Sequence, residues 1–181
     1  MACGSVLNSP SDTTDQNHTA MRKIKNPWLH KEGYNCFGCA PENPIGLHMD
    51  FFEEGDNILC FWRPEEHFEG WVGVLHGGII STLIDETAGW VVTRKLQAAG
   101  MTSRLNVAYH KPITSSEVQV TVKAHLKEQR RNLAYIDVTV ENAHGEVCAE
   151  GQAIYFVMSK EKSTEMGFTQ CDVEGDNLLP F

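Results

Sequence analysis

The sequence predicts an α+β domain: one long helix packed against a curved antiparallel sheet of about six strands, dimerising to cover what the sheet leaves bare. Two observations predict it. A single stretch of helical periodicity, Gly77 to about Gln97, stands alone between strand-like segments. The four segments after it are rich in β-branched residues and are joined by connections too short to hold further helices. That spacing excludes a doubly wound parallel sheet.

Taken in order, residues 1–26 form a polar stretch without an apolar run, and Asp12 and Asp15 argue against a transit peptide. This stretch is expected to be a disordered tail, with a domain over 27–160 and a polar C-terminal tail over 161–181. A turn at Asn43-Pro44-Ile45-Gly46 leads into a strand over Leu47 to Glu53. Glu54-Gly55-Asp56-Asn57 turns the chain into its hairpin partner, Ile58 to Arg63, and Pro64 to Gly73 reads as a loop. In the helix, Ile80, Leu83, Ile84, Thr87 and Val91 form the stripe that faces the core. Ser103 to His110, Glu117 to Lys127, Ala134 to Glu141 and Val147 to Met158 supply the remaining strands, with Val118, Val120 and Val122 on one face. Asn132 and the Asn142 to Gly145 stretch mark hairpin turns. One sheet covers one side of one helix, so a second copy is expected to shield the other, as a homodimer or a dimer of dimers.

The 181 residues suit one domain with tails, and no apolar run approaches the ~20 residues of a membrane span. A net charge of −9 disfavours a nucleic-acid partner. Local basic spots, Arg104 with Lys111, and Lys127 with Arg130 and Arg131, are candidates to meet an anionic ligand. The six cysteines form no secreted disulfide framework, and a cytoplasmic protein is the simplest inference. Cys36-Phe-Gly-Cys39 is a lone CxxC; zinc would need two more ligands, for which His30 and His48 are conceivable, and incidental loop thiols are the preferred reading. No metal or other cofactor is expected.

The helix carries two oddities. It opens on His76-Gly77-Gly78, although glycine is a poor helix former, and it holds Asp85 within an apolar run. Bare glycines at a helix N-terminus let a ligand oxygen approach backbone N–H groups that have no internal partner. Such a site suits a carbonyl that becomes an oxyanion. Around Asp85, the helical neighbours Gly78, Ser81, Thr82, Ala88 and Gly89 are small or polar, which leaves room for another molecule. Two turns of helix separate Gly77 from Asp85 by roughly 12 Å, too far to act on one atom within one chain. A two-fold axis bringing two helices antiparallel would offer each Gly77 the Asp85 of its partner.

These residues resemble a known family. His76-Gly77-Gly78 followed by six residues and Asp85 resembles the HGG-x6-D helix of hotdog-fold acyl-CoA thioesterases of the phenylacetate-degradation type. Cys36-Phe-Gly-Cys-Ala-Pro-Glu-Asn-Pro-Ile-Gly-Leu47 is similar to the opening of one branch of that group. Glu69 to His76 and Thr102 to Pro112 match its lead-in to the helix and its next strand, so the likeness spans about residues 34 to 158. The resemblance implies the hotdog fold, active sites at a dimer interface, and hydrolysis of an acyl-CoA to free acid and CoA. It implies that the Gly77 N–H polarises the thioester carbonyl, and that Asp85 of the opposite subunit is general base or nucleophile. His76 would orient the site, or simply bond backbone where the helix opens. Thr102 falls where some members keep a water-positioning hydroxyl, one residue further from Asp85 than the family pattern. Gly70 stands where some relatives have an asparagine. The substrate is expected against Gly70, Gly78, Ser81 and Thr82, with Arg104 and Lys111 as candidates for the CoA phosphates. Glu86 is a rival carboxylate about 100° around the helix.

Two other readings stay open. Hydratases of this fold pair a carboxylate with a histidine about five residues on, where this chain has Trp90. A non-catalytic acyl-CoA-binding module could keep the pocket and dispense with Asp85. Phe51, Phe52, Phe61, Trp62, Phe68, Trp71 and Trp90 are available to line an acyl pocket or to pack a core.

Overall fold

The computed structural model describes residues 20–29 and 31–176. In chain order these form β1 (Arg22–Lys23), β2 (Phe51–Glu54), β3 (Asn57–Trp62), a 3-10 turn (Glu66–Phe68), β4 (Glu69–Trp71), β5 (Val74–Leu75), α1 (Gly77–Lys95), β6 (Gly100–Tyr109), β7 (Val120–Arg130), β8 (Leu133–Glu141), β9 (Val147–Val157) and α2 (Lys160–Glu165). Seven strands make one sheet in the order β1-β2-β3-β7-β8-β9-β6, and β4-β5 is a separate hairpin. Every neighbouring pair in the large sheet is antiparallel. The sheet therefore holds seven strands where about six were expected.

The core lies between the sheet and α1. Ile80, Leu83, Ile84, Thr87 and Val91, the stripe read from periodicity, are all buried, against Ile58, Val122, Ile136, Val138 and Val140 from the strands. Their alternation on β7 and β8 gives each strand one buried face, which fixes the register. The expected common face of Val118, Val120 and Val122 holds only for the last two: Val118 precedes β7 and is 77% exposed.

Element boundaries shift for local reasons. The helix stops at Lys95 rather than Gln97 because Gln97 takes a left-handed φ of 50° and its amide donates back to the Arg94 carbonyl at 2.8 Å. The expected strand from Leu47 begins only at Phe51, since His48 has φ 51° and its Nε2 is held 2.7 Å from the Asn43 carbonyl oxygen. The expected loop over Pro64 to Gly73 contains the 3-10 turn and β4.

The packed region also outruns the expected limits at 26 and 160. Arg22 and Lys23 pair with β2, and Ile24 bridges to Val173. Ile24, Phe168, Cys171 and Val173 are buried, so apolar residues inside the nominal tails close the end of the sheet. Glu53, buried on β2, anchors this end: it accepts from Arg22, Arg94 and Lys95 at 2.9, 3.0 and 2.5 Å. Burial alone would raise the Glu53 pKa, but the hydrogen bonds and charges of Arg94 and Lys95 prevail and hold it at about 2. The disorder expected of residues 1–19 and the looseness of 177–181 lie outside the described residues. Among the described residues no helix is long and apolar enough to cross a membrane.

Candidate active site

The tip of α1 shows what its two glycines do. His76 is the N-cap, with its Nδ1 accepting from the Gly78 N–H at 2.8 Å, while the N–H groups of Ile79 and Ile80 donate to the His76 carbonyl. With Nδ1 an acceptor, the neutral imidazole carries its proton on Nε2. The Gly77 N–H alone in this first turn has no acceptor among the described residues. A Cβ at Gly78 would stand 2.8 Å from His76 Nδ1, so that glycine serves the cap. A Cβ at Gly77 would meet nothing nearer than the Tyr109 ring at 3.5 Å. Packing within the chain does not require glycine at position 77. Gly70 has a local reason too: its Cβ would lie 2.9 Å from His76 Cδ2.

Asp85 is half-buried, eight residues along the helix. Its Oδ1 accepts from Thr102 Oγ1 at 2.8 Å, and the Tyr155 hydroxyl lies 2.8 Å from Oδ1 and 2.6 Å from the Asp85 carbonyl oxygen. Burial, then the Asp85 charge, push the Tyr155 pKa far up, which keeps this hydroxyl a donor. The other carboxylate oxygen, Oδ2, has no donor among the described residues. Thr102 and Tyr155 are opposite each other in the β6–β9 register, which shifts between Thr102 and Arg104. Without that bulge Ser103 would face Tyr155; the extra residue is absorbed and Thr102 is brought over Asp85. The longer spacing noted in the sequence is thus taken up by the strand.

Asp85, Thr102 and Tyr155 line a cleft of about 620 Å³ whose walls include Trp28, Tyr34, Trp90, Met101 and Met166. Of the aromatic residues singled out from sequence, only Trp90 is on this wall; Phe51 and Trp62 are core, and Trp71 is 78% exposed on the β4-β5 hairpin. Trp28, Tyr34 and Tyr155 were missed. A buried tyrosine needs a hydrogen-bond partner, which marks Tyr155 as worth pairing, but its partner is set by sheet register and not by sequence distance.

Other expected contacts are occupied. Ser81 Oγ is 2.6 Å from the Tyr109 hydroxyl, which also donates to the Gly77 carbonyl, and Thr82 donates to the Gly78 carbonyl. Lys111 pairs with Glu146 at 2.7 Å, and neither it nor the exposed Arg104 lines the cleft. Glu86 turns away from Asp85's partners: its carboxylate accepts from Trp90 Nε1 at 3.2 Å and lies 3.5 Å from Cys36 Sγ. The neighbouring Cys39 thiol lowers the Cys36 pKa, while Cys36, burial and Glu86 push Cys39 far up. His48 is not near this cluster's ligand atoms, and His30 lies outside the described residues.

Comparison with known proteins gives one consistent family. The family model of the thioesterase superfamily matches residues 72–149. Human acyl-coenzyme A thioesterase 13 is 31% identical over 98 residues, covering 52% of this chain and 69% of that protein. A solved structure described as a thioesterase superfamily protein superposes with a TM-score of 0.63 at 23% identity, over 68% of this chain and 60% of the other. A hypothetical thioesterase from Streptococcus pneumoniae TIGR4, solved with coenzyme A, gives 0.55 at 24% identity, over 57% and 82%. The long helix on an antiparallel sheet is the hotdog fold that the sequence led us to expect.

Proposed function

Since the chain belongs to the thioesterase superfamily, we propose that it hydrolyses the thioester of an acyl-CoA to the free acid and CoA, at two sites shared across a homodimer. Asp85 is the general base, taking a proton from water through Oδ2 while Thr102 and Tyr155 hold Oδ1. Gly77 of the partner subunit donates its N–H to the carbonyl oxygen, which gains negative charge as water attacks. One unpartnered amide at the positive end of a 19-residue helix is suited to that charge. The observation that carries the reading is a pairing of opposites: a carboxylate with one oxygen fully held and one open, and a first-turn amide left without an acceptor.

Self-association has its own support. β6 is a ten-residue edge strand, and among the described residues nothing pairs with its outer side. Unpaired edges of that length invite a second strand. Met101 and Tyr109 on β6, with Trp71 and Val72 on the hairpin, are exposed apolar groups fit to be covered by a second copy.

Subunit mixing tests both parts together. A Gly77→Val chain and an Asp85→Asn chain are each expected to be nearly inactive on an acyl-CoA panel. Co-expressed, they should regain activity, because one of the two sites in a mixed dimer then keeps both native groups. If the mixed preparation forms dimers yet stays as inactive as its parents, the cross-subunit arrangement is wrong. Acyl-CoA binding without release of CoA by the wild-type chain would instead indicate a binding module.

A further inference from the structure

The CxxC loop and the helix residue after Asp85 form a cluster that the hydrolytic reading does not use. We propose that Cys36, Cys39 and Glu86 constitute a zinc site with one coordination position open toward the cleft. The three ligand atoms lie within 4.8 Å of one another. Cys36 Sγ stands 3.5 and 3.6 Å from the two Glu86 oxygens. A tetrahedral zinc with a sulfur at about 2.3 Å and an oxygen at about 2.0 Å has a sulfur–oxygen edge of about 3.5 Å. Two thiolates and a carboxylate match the charge and softness that zinc takes, and the hard ions calcium and magnesium do not favour such sulfur ligands.

The surrounding chain is shaped for the carboxylate. A Cβ at Gly38 would lie 2.5 Å from Glu86 Cδ, so the turn between the two cysteines is open where Glu86 enters. A dithiol pair cycling to a disulfide would not need that opening. Trp90 Nε1 donates to Glu86 Oε1 and Tyr34 OH lies 2.9 Å from Cys39 Sγ, the kind of outer partners that orient ligating groups. The loop is pinned by the bonds Ala40 N–H to Cys36 O, Leu47 N–H to Phe37 O and Met49 N–H to Gly38 O. Cys36 and Glu86 both line the cleft, so water completes the tetrahedron from that side. Bound zinc would tie the loop to α1 beside Asp85 and fix that wall of the cleft.

The test is independent of hydrolysis. Full-length protein purified without chelator from zinc-supplemented cells is expected to carry about one zinc per chain by elemental analysis. Replacement by cobalt should give thiolate-to-cobalt charge-transfer bands and the visible bands of a tetrahedral ion. Cys39→Ser and Glu86→Gln should each lower the retained zinc several-fold, and a chelator should lower the melting temperature of the wild type but not of Cys39→Ser. Wild-type protein that stays metal-free and gives no cobalt spectrum overturns the proposal, as does zinc retention unaffected by Cys39→Ser. A chain that is metal-free and two mass units lighter, reversibly on reduction, overturns it in favour of a disulfide.

Discussion

Thr102 and Tyr155 face each other across β6 and β9, and both hydroxyls converge on the same oxygen of Asp85. A carboxylate held in this way loses rotational freedom without losing its second oxygen. On the proposed reading, these two residues aim the base and do not themselves act on substrate.

Removing either hydroxyl should therefore slow turnover more than it weakens binding. Thr102 is exposed, so Thr102→Val is expected to leave stability within about 1 kcal/mol while lowering kcat roughly ten-fold. Tyr155 is buried, and Tyr155→Phe should cost about 1–3 kcal/mol in addition. Initial rates with melting curves on both variants check this; unchanged kcat in both would remove the positioning role.

Asp85→Asn keeps the shape of the side chain and abolishes its basicity. The expected loss in kcat is about 10²–10⁴-fold, with the melting temperature little changed. Survival of near wild-type turnover would eliminate Asp85 as base or nucleophile.

The two glycines should separate cleanly. Gly77→Ala adds a methyl at ordinary contact distance, 3.5 Å from Tyr109, and is expected to be neutral or stabilising by up to about 1 kcal/mol, yet to reduce activity by crowding the free amide. Gly78→Ala forces its Cβ to 2.8 Å from His76 Nδ1 and should cost about 1 kcal/mol by disturbing the cap. Denaturant titration and rate measurement on the pair decide it, and equal losses of stability would contradict the assignment.

Glu53 governs the acid stability of the far end of the sheet. Folding lowers its pKa from 4.5 to about 2, so the folded state favours the ionised carboxylate. That contribution, about 3 kcal/mol, is complete above pH 4.5 and is lost as pH falls through about 2. Glu53→Gln leaves Arg94 and Lys95 without their shared acceptor and is expected to cost about 3–5 kcal/mol near neutrality. Its unfolding free energy should also depend less on pH across the acid range than that of the wild type.

Periodicity made most of the fold legible. The buried stripe of α1 and the alternation of β7 and β8 repeat every 3.6 or two residues, and burial follows that repeat, whereas the edge strand β6 is mostly exposed. Boundaries were less legible where a single residue in left-handed backbone delayed or ended an element, as at His48 and Gln97. Ile24 and Val173 could not be recognised as core, because their flanking residues are mostly polar and their bridge joins segments far apart in the chain.

The sequence by itself determined the long helix, its core-facing side, and the placing of His76, Gly77 and Asp85 on one element, because all of these follow from contacts a few residues apart. Only the tertiary structure decided that Tyr155 reaches Asp85, that a bulge carries Thr102 to it, and that Glu86 meets Cys36 and Cys39. Those meetings depend on how distant strands and loops align when apolar faces are buried together, and a residue's identity does not encode its partner across a sheet.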